Sequence, residues 1–84
     1  MTSMALTRTV YYAMHRKPNQ PYPMYSGAPL TSLKRAQLEA RKLARQGYTG
    51  WIMRIRETRE EDWPDDHWMI DHSVDDAITR LEQF

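Results

Sequence analysis

The 84-residue chain is too short for two cores, and folding such a chain buries only roughly 60–65% of the surface it exposes when unfolded. At 40% hydrophobic and 27% charged residues, with no cysteine, it is an ordinary globular composition that excludes disorder, a disulfide scaffold, a thiolate zinc site and a cysteine nucleophile. The net charge of +1 hides a segregation: residues 1–59 carry eleven cations against two acids, a net of +9, and residues 60–84 carry nine acids against one cation, a net of −8.

In chain order, residues 5–15 come first. Leu6, Val10, Tyr12 and Met14 share one parity, and Thr7, Thr9, Tyr11, Ala13 and His15 the other. Threonine, valine and tyrosine suit a pleated, half-buried surface, so this is a predicted strand with its core face on the Leu6–Met14 parity. His15, beside Arg16 and Lys17, reads as a surface residue.

Residues 17–31 hold Pro18, Pro21, Pro23, Pro29 and Gly27, which exclude a helix and a central strand. They form a predicted proline-rich loop, long enough to carry the chain back along the first strand.

Residues 32–46 are a predicted helix. Thr31 or Ser32 suits the N-cap, and Gly47 sits where glycine ends helices. Leu33, Ala36, Ala40, Leu43 and Ala44 fall in one arc. Lys34, Arg35, Arg41, Lys42 and Arg45 fall in another, a basic stripe.

Residues 48–58 are a second predicted strand. Trp51, Met53 and Ile55 are assigned to the core face, and Ile52, Arg54 and Arg56 to the other. An acidic loop, 59–66, is broken by Trp63-Pro64, and a third strand over 67–72 has Trp68 and Ile70 inward. Residues 73–83 are expected to be a second helix. Ser73 would cap it, Asp75 and Asp76 would suit its positive end, and Val74, Ala77, Ile78 and Leu81 recur at helical spacing.

These elements give an α+β single domain over 1–84, in the order β-α-β-β-α: a small three-stranded, mostly antiparallel sheet with two helices on its apolar face. The pairing of the first two strands is open. A short β-α-β link would make them parallel. A return through the proline loop would make them antiparallel.

No catalytic site emerges. The chain lacks G-x-S-x-G, P-loop and G-x-G-x-x-G patterns, and the expectation is that it is not an enzyme. His67, Asp71, His72, Asp75 and Asp76 are the nearest thing to a metal set. On a strand, however, His67 and His72 point to opposite faces, and His67 lies ~13 Å from Asp71. No metal or other cofactor is expected. No segment is apolar enough to span a bilayer, and residues 1–12 lack the apolar core of a signal peptide, so the expected location is the cytoplasm, without membrane contact.

Two binding readings remain. In the first, Glu57, Glu60, Glu61, Asp62, Asp65 and Asp66 surround the aromatic Trp63, an anchor ringed by charge that suits a protein with a basic surface. Occupying a surface that otherwise holds nucleic acid would make the protein an inhibitor. In the second, Lys34, Arg35, Arg41, Lys42, Arg45, Arg54 and Arg56 bind nucleic acid directly. A homodimer joining acidic to basic faces is compatible with either. The chain matches no family by motif. In size and composition it resembles the small, cysteine-free accessory proteins of phages and mobile elements, and some of those inhibit host complexes such as CRISPR effectors.

Overall fold

The structure is a computed structural model that describes residues 4–25 and 27–84. Its elements are β1 (Ala5–Arg16), α1 (Leu33–Arg45), β2 (Thr49–Glu60), β3 (Met69–Ile70) and β4 (Ile78–Gln83). The sheet has four antiparallel strands and one helix packs on it.

β1 and β2 pair over their full length, from Ala5 opposite Glu60 to Arg16 opposite Thr49. The proline loop makes this antiparallel arrangement possible. It runs back along the outer edge of β1, where His15 exchanges backbone hydrogen bonds with Met24 and Tyr11 with Leu30, at 2.7–3.0 Å. The chain therefore enters α1 halfway back along the sheet.

Ser32 caps α1, its hydroxyl accepting from the Arg35 N–H at 3.1 Å. The far end closes as a Schellman motif. Tyr48 N–H reaches the Leu43 carbonyl at 3.1 Å, Gly47 N–H reaches that of Ala44 at 3.1 Å, and Gly47 takes a φ of +90° that side chains disfavour.

The expected second helix is absent, and residues 78–83 are strand β4 instead. β1 occupies one edge of β2, so β3 and β4 lie end to end along the other. Between them the chain loops out, and Arg56 bridges the gap by donating to the Ala77 carbonyl at 2.8 Å and accepting from Asp71 N–H at 2.9 Å. A helix of about eleven residues is marginal alone. Pairing as a strand satisfies backbone groups of β2 that would otherwise lack partners, and Ile78 and Thr79 suit that conformation. Ser73 caps nothing. Its N–H and hydroxyl both donate to the Asp71 carboxylate, closing a turn.

The core lies on the opposite side of the sheet from the expected one. Ile52, fully buried, meets Ala36 and Ala40 of α1, with Tyr11, Leu30, Leu33, Leu81 and Phe84 around them. Ala13, opposite Ile52, and His15 are buried on the same side. His15 is thus not a surface residue: its ring lies edge-on to Tyr48, and Nδ1 is 3.1 Å from the Ala13 carbonyl oxygen. The helix contributes two alanines to this contact, so it approaches the sheet closely at Ile52. A Cβ on Gly50 would collide with the Met14 carbonyl oxygen.

The parity read as core, from Leu6 to Met14 and from Trp51 to Ile55, faces away from the helix. Only Val10 among these is fully buried, and Ile78 is 47% exposed. The molecule measures 51 × 25 × 24 Å, longer than a compact sphere of its size.

This inversion predicts contrasting truncations. Ile52→Ala should cost about 3 kcal/mol in urea denaturation, in the range for a fully buried aliphatic side chain. Met53→Ala should cost roughly 1 kcal/mol in dilute protein, since Met53 is only half-buried.

Candidate functional site

The acidic loop hangs from the far end of β2 and is built around Arg59. This arginine ends the open-face parity of β2, and its side chain is 13% exposed. Its Nη1 donates to the carbonyl oxygens of Trp63 at 3.1 Å and Glu60 at 3.4 Å, and its Nη2 to Asp65 Oδ1 at 3.4 Å. The Trp68 indole N–H donates to the Asp65 carbonyl at 3.1 Å. The Trp68 ring also lies under two guanidiniums, Arg8 at 4.2 Å and Arg59 at 5.3 Å. Turns at Glu60–Trp63 and Pro64–His67 complete the loop.

This scaffold leaves Glu61, Asp62, Asp65 and Asp66 exposed. Trp63 is half-buried, with its ring edge-on to His67 at 5.5 Å, so it is a partly covered anchor rather than a free one. Glu57 is not in the patch. It sits on the sheet face with its side chain 12% exposed, paired to Arg8 at 2.9 Å. Its carboxylate, after burial itself, helps push the Tyr12 phenol above its ordinary pKa.

The seven predicted basic residues divide in two. Lys34, Arg35, Arg41, Lys42 and Arg45 are exposed on α1. Leu38, 53% exposed, lies with Leu30 and Glu39 in a shallow groove that Arg35, Lys42 and Arg45 also line. Arg54 and Arg56 stand instead on the sheet, in a separate polar cleft of about 280 Å³ with Thr9, Tyr11 and Asp76. Arg54 donates to Asp76 at 3.1 Å and to the Thr79 hydroxyl at 3.4 Å.

The two charged regions lie at opposite ends of β2. α1 leads into its first residues and packs on Ile52, while the acidic loop follows Glu60. The ion pairs Arg8–Glu57, Arg54–Asp76 and Arg59–Asp65 all leave α1 out. The helix cations and the loop acids therefore do not neutralise each other locally.

Sequence reasoning missed the sheet face opposite α1. Tyr12, Met14, Tyr25, Met53, Ile55, Glu57 and Ile70 line a groove of about 290 Å³ there. Tyr25 from the proline loop meets Tyr12 edge-on at 5.1 Å, and Arg80 lies over Trp51 at 4.8 Å. No helix or strand covers this face among the described residues. The signal was present: the chain supplies apolar residues on both parities of β1 and β2, enough for two faces, and only one long, clearly amphipathic helix.

Among the described residues no group of three or more His, Asp or Glu side chains could hold a metal ion, and no helix is long and apolar enough to cross a membrane. No protein-family model, no curated protein and no solved structure matches the chain.

The turn that replaces the expected helix start has a titration signature. Hydrogen bonds from the Ser73 hydroxyl and N–H hold the Asp71 carboxyl below its ordinary pKa. The folded state favours the carboxylate, so the interaction is complete above the ordinary aspartate pKa and is lost as pH falls through the lowered value. Ser73→Ala should raise the Asp71 pKa, read by NMR titration of the side-chain carboxyl carbon; no change would remove Ser73 as the cause.

Proposed function

We propose that this protein is a non-enzymatic protein-binding module whose acidic loop, Glu60 to Asp66, docks on the basic surface of another protein. The observation that carries this reading is the loop's construction. Its acids Glu61, Asp62, Asp65 and Asp66 are exposed together on a loop tied from inside by Arg59, far from the helix cations. A preformed charged loop loses little conformational entropy on binding and steers association with an oppositely charged partner. A basic partner surface is commonly one that holds nucleic acid, so occupation by this loop would inhibit it. Trp63 supplies the apolar contact at the loop's centre.

The test compares proteins captured by the wild type and by Trp63→Ala/Asp65→Lys, at low and near-physiological salt. The expected outcome is loss from the variant of specific partners with basic surfaces. An unchanged set of partners would defeat the loop assignment.

A second reading has its own observation. The five cations of α1 are exposed and stand apart from the acids of the loop, as direct phosphate binding requires. Under it, labelled DNA or RNA titrated with the protein at low salt shows saturable binding that falls steeply as salt rises, and Arg41→Glu/Arg45→Glu abolishes it. Absence of binding at low salt removes this reading, since phosphate contacts are strongest there.

A further inference from the structure

We infer that the sheet face opposite α1 closes against the same face of a second copy of this chain, giving an antiparallel face-to-face homodimer. A compact monomer of 10.0 kDa exposes roughly 5,200 Å². This chain exposes 6315 Å². The excess, roughly 1,100 Å², is spread over an elongated chain of 51 × 25 × 24 Å, and the face opposite α1 is one part of it. The radius of gyration agrees: 14.7 Å, against about 12 Å for a compact chain of this length.

The composition of the face suits the same occupant. Tyr12, Trp51, Met53 and Ile55 run along its centre, with Ile78 at its edge. Aromatic and methionine side chains are enriched in the buried cores of interfaces, and apolar sheet faces pack on each other in aligned sandwiches. The ion pairs on this side, Arg8–Glu57 at 2.9 Å and, at the loop end, Arg59–Asp65 at 3.4 Å, are internally matched and would not oppose closure.

Charge selects the orientation. Arg80 lies over Trp51 at one end of the face, and the acidic loop leaves β2 at the other. A two-fold axis along the strands would set acidic loop beside acidic loop. An axis across the strands sets each loop beside the partner's Arg80 end. The second arrangement is the complementary one, and it places the level of Val10, Ile55 and Ile78 on the axis. The dimer would then carry one acidic loop at each end.

Sedimentation equilibrium of the full chain should give a mass near twice 10.0 kDa at micromolar concentrations. Met53→Lys should weaken association by at least about tenfold, because it puts a charge into the closed face. Ile78→Lys, at a side chain already 47% exposed, should do the same in a chain whose monomer fold is not at stake. Because the chain has no cysteine, Ile78→Cys should be joined to its partner by a short bis-maleimide cross-linker, whereas Leu38→Cys on the outer surface of α1 should not. A mass of 10.0 kDa up to high concentration overturns the inference, as does a dimer indifferent to both lysine variants. Cross-linking of Leu38→Cys in preference to Ile78→Cys also overturns it. Trp63→Ala/Asp65→Lys should leave the dimer mass unchanged, so this inference and the loop reading fail separately.

Discussion

β2 has two edges of backbone donors and acceptors, and the structure follows from filling both. β1 fills one edge over twelve residues. The other must be filled by the only chain that remains, residues 69–83. Two strands were needed because the segment cannot stay in register. Its central turn, closed by Asp71 and Ser73, interrupts the ladder, and Arg56 holds both sides of the break. A helix of about eleven residues is marginal alone, whereas as a strand residues 78–83 hydrogen-bond along β2.

The second determinant is the shape of α1. Its inner stripe is short of bulk, with Ala36 and Ala40 at the contact. Such a helix packs best where the sheet surface is also low. Ile52 lies against those alanines, and Tyr11, Leu30, Leu33, Leu81 and Phe84 surround the contact. Tyr12, Trp51 and Met53 are left on the face without a helix, while the covered face combines Ala36 and Ala40 with Ile52, Tyr11, Leu81 and Phe84. Parity alone does not choose between the faces, because both parities of β1 and β2 carry apolar side chains.

The acidic loop shows how a local feature of the sequence acquires a function-ready geometry. Its acids are obvious as a run. Their presentation depends on Arg59, which the charge map counts only as one more cation. Arg59 organises the loop carbonyls from beneath, while Arg8 and Trp68 brace the same corner. Glu57, part of the acidic run on paper, is withdrawn by its strand register to pair with Arg8. The basic residues divide for the same reason: five follow the helix period, and Arg54 and Arg56 follow the strand period into a different cleft.

Local signals determined by the sequence alone survive intact. Ser32 and Gly47 bound α1, the described residues of 17–31 hold no helix and no named strand, and the alternating residues of β1 and β2 are strands. Each depends on near neighbours, through capping, a fixed φ or side-chain period. Tertiary structure decided the rest: antiparallel pairing, the fate of residues 73–83, the face chosen by α1 and the distance between the two charged ends. Those outcomes depend on which distant groups compete for one strand edge and one sheet face, and no local pattern in the chain encodes that competition.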